Sequence, residues 1–230
     1  MLFYNSSYKL NQWGIFIVKT ILFQGDSITD ANRNKEYEMQ ENIFVTHPYG
    51  TGYANITASN LLLDHPEKNL NVINRGISGH RIVDLYARWK VDALNLNPDI
   101  ISILIGVNDV WHEHARRNGV EPERFEQVYD MLLSWSRKVL PEVKFVIGQP
   151  FCLHSAVVTD VFFDNVQVYG EITKKLAEKY DAVFIPYQQI FNEAAKTREN
   201  TYYLADGVHP ALAGAQLMAR HLTPAIESLL

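Results

Sequence analysis

Only one cysteine, Cys152, stands among the 230 residues. It can form no intrachain disulfide and no cysteine-based metal site, and its solitary state fits a reducing compartment. No apolar run approaches the roughly 20 residues needed to span a bilayer. The stretch from Trp13 to Phe23 comes nearest, but Lys19 interrupts it and only Lys9 precedes it. No small-residue cleavage site follows, so it does not read as a targeting signal. A surplus of positive charge is also missing: 21 Lys and Arg face 26 Asp and Glu, a net charge of -5. The basic residues are scattered, with Arg116-Arg117 an isolated pair, which argues against nucleic acid as a partner. Gly25-Asp26-Ser27 lacks the Gly-Lys-Ser/Thr of a phosphate loop, so nucleotide hydrolysis finds no support. No repeat, low-complexity tract or linker marks a domain boundary. The expectation is a cytoplasmic protein with no membrane partner.

What is present is a hydrophobic share of 47% against 20% charged residues, enough for a sizeable core. Short apolar runs at Val18–Phe23, Leu70–Asn74, Asp99–Ile105, Lys144–Gly148 and Ala182–Ile185 read as buried strands. Helical periodicity falls between and after them, near 52–63, 81–95, 122–139, 164–179, 187–197 and 211–222. Such alternation implies an α/β fold: a three-layer α/β/α sandwich around a five-stranded parallel sheet. Residues 18–230 form one domain in this reading, and residues 1–17 an arm or appendage. The polar stretch Thr29–Pro48 has no clear period, and a loop that long is usually functional or mobile.

Open parallel sheets bind ligands at the carboxyl ends of their strands, where strand order reverses. If the order is 2-1-3-4-5, three segments meet there: Ser27, Asn74-Arg75-Gly76, and Gly106-Val107-Asn108-Asp109. Ser27 offers a hydroxyl, Gly76 an unobstructed backbone N–H, and Asn108 a carboxamide donor. A nucleophilic oxygen beside convergent donors is what acyl transfer requires, because the donors stabilise the developing oxyanion. A base is available in Asp206-Gly207-Val208-His209-Pro210. Pro210 suits the first position of the last helix. The short turn can bring Asp206 against the imidazole, leaving Nε2 of His209 for the Ser27 proton. Taken singly, each piece has a structural reading as cap, turn or packing residue; the joint placement favours one site.

Other features are read structurally. Trp111-His112-Glu113-His114 has two histidines and an acid but no third metal ligand, and reads as a surface loop. Cys152 reads as a small apolar residue near the pocket. Asp26 positions the turn. Tyr49, Tyr53 and Trp111 lie in or beside the site loops, where an aromatic face could pack on a ligand; packing roles are the alternative.

Gly25-Asp26-Ser27, Gly76, Gly106-Val107-Asn108-Asp109 and Asp206–His209 stand in the order of four sequence blocks, and together they resemble the SGNH, or GDSL, hydrolase superfamily over roughly residues 19–222. The resemblance implies Ser27 as nucleophile, His209 as base and Asp206 as its orienter. It implies an oxyanion hole of Ser27 N–H, Gly76 N–H and the Asn108 side chain, and the flavodoxin-like strand order 2-1-3-4-5. The wider wording "YGTGYANI", "VINRGISGHRIVDLYARW" and "IGVNDVW" is similar to the branch of intracellular acetyl-xylan and acetyl-xylooligosaccharide esterases. The expected activity is therefore removal of acetyl groups from sugars, with Tyr53 and Trp111 as substrate contacts, no metal, and possible self-association. A lysophospholipase or thioesterase of the same fold, and a non-catalytic carbohydrate-binding domain, are the alternatives.

Overall fold

A computed structural model of the chain describes residues 8–11, 14–35 and 47–230. Five strands form one parallel sheet: β3 (Thr20–Gly25), β4 (Asn71–Asn74), β5 (Ile100–Leu104), β6 (Lys144–Gly148) and β7 (Val183–Ile185). Their spatial order is β4-β3-β5-β6-β7, the expected 2-1-3-4-5. Every residue of β3 and β5 is buried. That is why these strands read as continuous apolar runs rather than alternating ones: helices cover both faces. Upstream, β1 (Tyr8–Asn11) and β2 (Gly14–Ile17) pair antiparallel with each other and with no strand of the main sheet.

The helices bury faces set by their periodicity. In α2 (Tyr53–Asp64) the buried set is Tyr53, Ala54, Thr57, Ala58 and Leu61, which packs beside the last helix, α7 (Leu212–Glu227). In α5 (Pro122–Val139) Phe125, Tyr129, Leu132, Leu133 and Ser136 face inward between α3 (Ile82–Asp92) and α6 (Asp160–Lys179). The spacing i, i+4, i+7, i+8 is that of one helical stripe. Trp89 is wholly buried where α3 meets α5, and its indole N–H donates to Ser136 Oγ at 2.8 Å. Among the described residues no helix is long and apolar enough to cross a membrane.

Three local expectations are corrected. The segment around Trp111–His114 is not a surface loop but part of α4 (Val107–Arg116), which starts at the tip of β5. Its signal was available: Val107, Val110, Trp111 and His114 recur at i, i+3, i+4 and i+7. The first sheet strand runs on to Gly25, because Gln24 and Gly25 pair with Ile103 and Leu104. Pro210 is not the first residue of the last helix, which begins at Leu212 after the cap Ala211. Pro210 instead bridges Leu204, and the Ala205 N–H donates to the His209 carbonyl at 2.9 Å, closing a separate tight loop. Cys152 is wholly buried, and burial pushes its thiol up to about 12, so it is an inert packing residue. Within the Thr29–Pro48 stretch, residues 36–46 lie outside the described residues.

Candidate active site

At the tip of β3 the chain makes one helical turn, α1 (Ser27–Asp30). Asp26 caps it, Oδ1 accepting the Ile28 N–H at 3.0 Å, so Ser27 stands at the first helical position with its own N–H unused by the turn. Ser27 Oγ lies 2.9 Å from His209 Nε2. On the other side of the ring, His209 Nδ1 lies 2.7 Å from Asp206 Oδ2. The second oxygen of Asp206 accepts the backbone N–H groups of Val208 at 3.0 Å and His209 at 2.8 Å. Partial burial raises the Asp206 pKa, but the His209 backbone and ring, with the Val208 N–H, outweigh it and hold the carboxyl below its ordinary value. An ionised Asp206 fixes the tautomer with hydrogen on Nδ1 and a lone pair on Nε2 facing the serine.

The loop that carries this pair is pinned from below. Gly207 has φ +92, and a Cβ there would collide with the Leu153 carbonyl and Ser155. The Leu153 N–H donates to the Gly207 carbonyl at 2.8 Å, and Ser155 Oγ donates to the Asp206 carbonyl at 2.5 Å. The segment after β6 thus sets the height of Asp206 and His209 over the sheet.

Asn108 opens α4 and is 8 % exposed; its Nδ2 donates to the His80 carbonyl at 3.2 Å, leaving its second N–H free of any described partner. Gly76 is where the structure departs from expectation. It is buried, and its N–H is already donated to Asn74 Oδ1 at 2.8 Å. Its missing side chain serves packing, since a Cβ would overlap the backbone of Thr29 and Asp30. Three residues on, Gly79 has φ +82, open space where a Cβ would sit, and no described hydrogen bond from its N–H. It lies between Ser78, which lines the cleft, and His80, whose carbonyl holds Asn108. On this turn it is Gly79, not Gly76, whose N–H is left without a described partner. "RGISG" contains two glycines, and only the positive φ separates the exposed turn glycine from the packed one.

Several supports escaped sequence reasoning. Asn74 Nδ2 donates to the carbonyls of Thr29 at 2.7 Å and Tyr49 at 2.9 Å. Asp30 Oδ2 accepts the Ser78 N–H at 3.1 Å, and Arg33 Nε donates to the Gly76 carbonyl at 3.0 Å. These bonds fasten the Ser27 turn to the glycine turn, so that groups far apart in sequence keep one geometry.

Of the aromatic candidates, Tyr53 is only 2 % exposed. Its hydroxyl lies 2.8 Å from Thr29 Oγ1, and its ring packs edge-on against Phe23 with centroids 6.4 Å apart. It floors the cleft and supports α1 but has no ring face to offer a sugar. Trp111 is half-buried, 6.0 Å from the His209 ring and edge-on to Phe162 at 5.7 Å, so it flanks His209. The cleft itself holds about 420 Å³ and is lined by Ser27, Ile28, Ala31, Asn32, Thr51, Ser78, His209 and Pro210 among others. Polar groups share this lining with small apolar ones, and no long apolar channel opens from it among these residues.

Behind Ser27 two carboxyls are buried, each with one oxygen lacking a described partner: Asp26 (1 % exposed) and Asp109 (0 %). Asp109 Oδ1 accepts the Ile82 N–H at 3.0 Å, capping α3 from another element. Desolvation raises Asp26 to about 7, against the Ile28 N–H and His209, which lower it. Desolvation likewise raises Asp109 well above its ordinary value. Between about pH 4 and 7 the unfolded chain releases the Asp26 proton while the folded protein keeps it, so stability falls as pH rises through this window. Three pKa units correspond to a loss on the order of 4 kcal/mol. Asp26→Asn preserves the cap oxygen and is expected to flatten, though not abolish, this decline, because Asp109 has the same sign. Urea midpoints from pH 4 to 8 check it; an unchanged slope would refute the assignment.

Comparison with known proteins decides the family. The model of the GDSL-like lipase/acylhydrolase family matches residues 23–217. The chain belongs to this family. It is 34% identical over 202 residues to an acetylxylan esterase of Geobacillus stearothermophilus, covering 87% of this chain and 90% of that protein. A structure of the Geobacillus acetylxylan esterase superposes with TM-score 0.80 at 32% identity, over 90% of this chain and 94% of that one. A Parabacteroides merdae protein described as a GDSL-like lipase superposes with TM-score 0.84 at 36% identity, over 92% and 96% of the two chains. This GDSL-family chain is thus a carboxylic ester hydrolase, and the reading as a non-catalytic binding domain is set aside.

Proposed function

We propose that this GDSL-family hydrolase is a serine esterase that removes acetyl groups from sugars, with xylan-derived oligosaccharides as the substrate class. The observation that carries the mechanism is the continuous relay from Ser27 Oγ through His209 to Asp206, at 2.9 and 2.7 Å, at the edge of a small, partly polar cleft. Ser27 Oγ attacks the ester carbonyl while Nε2 of His209 takes its proton. The oxyanion is held by the N–H groups of Ser27 and Gly79 and by Asn108 Nδ2. His209 returns the proton to the departing sugar oxygen, and water then cleaves the acetyl-Ser27 ester by the same proton cycle. No step calls for a metal or organic cofactor.

The substrate class is supported by the acetylxylan esterase relative and by the cleft, whose size and polar groups suit a short acyl chain and a hydroxylated leaving group. Trp111 is proposed to meet the sugar beside His209. The reading takes residues 18–230 as the hydrolase domain and residues 1–17 as an appendage. The solitary, buried Cys152 supports a cytoplasmic setting.

A screen of acetylated saccharides and aryl esters of increasing chain length tests the substrate class. Acetyl esters should be preferred, with release of acetate from acetylated xylooligosaccharides; preference for eight carbons or more would instead indicate the lysophospholipase or thioesterase alternative. Asn108→Ala should lower kcat by about 10²- to 10³-fold, the usual cost of one oxyanion donor. A loss below about threefold would remove Asn108 from the hole.

A further inference from the structure

Arg88 sits on α3, outside the cleft, with its side chain 12 % exposed. Its guanidinium makes three directed bonds. Nε donates to His80 Nδ1 at 3.1 Å, Nη2 to the Gly25 carbonyl at 3.3 Å, and Nη1 to Asp92 Oδ2 at 3.2 Å. Gly25 precedes the Asp26-Ser27 turn, and the His80 carbonyl accepts from Asn108 Nδ2 at 3.2 Å. One rigid fork therefore grips both the stem of the nucleophile and the residue whose carbonyl orients the oxyanion amide. The anchoring end is itself fixed: Gln24 Nε2 donates to the Asp92 carbonyl at 2.6 Å, tying the end of α3 to β3.

We infer that Arg88 is a positioning residue of the oxyanion hole, acting through the His80 carbonyl on Asn108. The inference rests on the hole assigned above. None of its described hydrogen bonds goes to a cleft-lining residue, so its removal changes where donors point rather than what binds. Displacing a catalytic group by about 1 Å can cost on the order of 10²-fold in rate. Lysine cannot replace the fork, because a single ammonium does not reproduce the planar spread of three donors.

The test is a double-mutant cycle on an aryl acetate, with kcat and KM measured separately and thermal melting as a fold control. Arg88→Met should lower kcat about ten- to a hundredfold with KM changed by less than about twofold. In the Asn108→Ala background the same substitution should cost no more than about twofold, because the amide it positions is gone. Arg88→Lys should recover only part of the loss; full recovery would show that charge rather than the fork is what matters, and would overturn the inference. Equal losses in both backgrounds, or an unchanged kcat in Arg88→Met, would also overturn it. If Asn108→Ala alone leaves turnover intact, it is the oxyanion assignment that has failed, and that result is separate. Should Arg88→Met not fold, His80→Leu removes the acceptor while keeping the arginine, and the same non-additivity is expected.

Discussion

Ser27→Ala is expected to lower kcat on acetyl esters by a factor on the order of 10⁴ or more, with the fold and substrate binding retained. The size follows from the geometry, in which Ser27 Oγ is the atom aligned with His209 Nε2 at 2.9 Å. The neighbouring hydroxyls do not substitute for it: Thr29 Oγ1 is committed to Tyr53, and Ser78 approaches from the opposite turn. Fold retention follows from the capping pattern, since Asp26 rather than Ser27 caps α1 and alanine suits a first helical position. Melting temperature should stay close to that of the parent while turnover disappears. Loss of turnover together with loss of fold would show that Ser27 is structural. Retained turnover would move the nucleophile elsewhere.

The second large effect is Asp206→Asn, expected to reduce kcat by about 10⁴-fold. The asparagine oxygen can still accept the Val208 and His209 N–H groups, so the loop should keep its shape. The amide nitrogen would then face His209 Nδ1, where a carboxylate oxygen stood at 2.7 Å. An NH₂ there demands a lone pair on Nδ1 and drives the proton to Nε2, which can no longer accept from Ser27. The defect is a tautomer error, so KM should change little. A drop of only a few-fold would mean that Asp206 supports the loop without setting the tautomer.

Much of this site is legible in the sequence because its strands are buried on both faces. Runs such as "DIISILI" cannot alternate, and their ends announce the sheet edge on which Ser27 and Asn108 stand. The Asp206–His209 spacing is equally readable, because three residues suffice to bring a carboxylate to its own histidine. What escapes is whatever depends on backbone sign or on distant side chains. Gly76 and Gly79 are indistinguishable as letters, yet one is buried with its N–H spent on Asn74 and the other turns at φ +82 with its N–H open. Tyr53 looks like a sugar platform only until α2 is packed, when its ring turns against Phe23. Arg88 shows only an i,i+4 pairing with Asp92 in the sequence, while its bonds to Gly25 and His80, like that of Asp30 to the Ser78 N–H, reach partners outside its helix. Pro210 shows the limit of a positional rule, since a tertiary bridge to Leu204 delays the helix by two residues.

A covalent acetyl-Ser27 intermediate is required by this mechanism, and rapid acid quench during turnover of an aryl acetate, followed by peptide mass spectrometry, detects it. One acetyl group is expected on the peptide that contains Ser27, formed before steady state and absent from Ser27→Ala. Steady turnover with no acetylated peptide, or with the acetyl group on another residue, would contradict it.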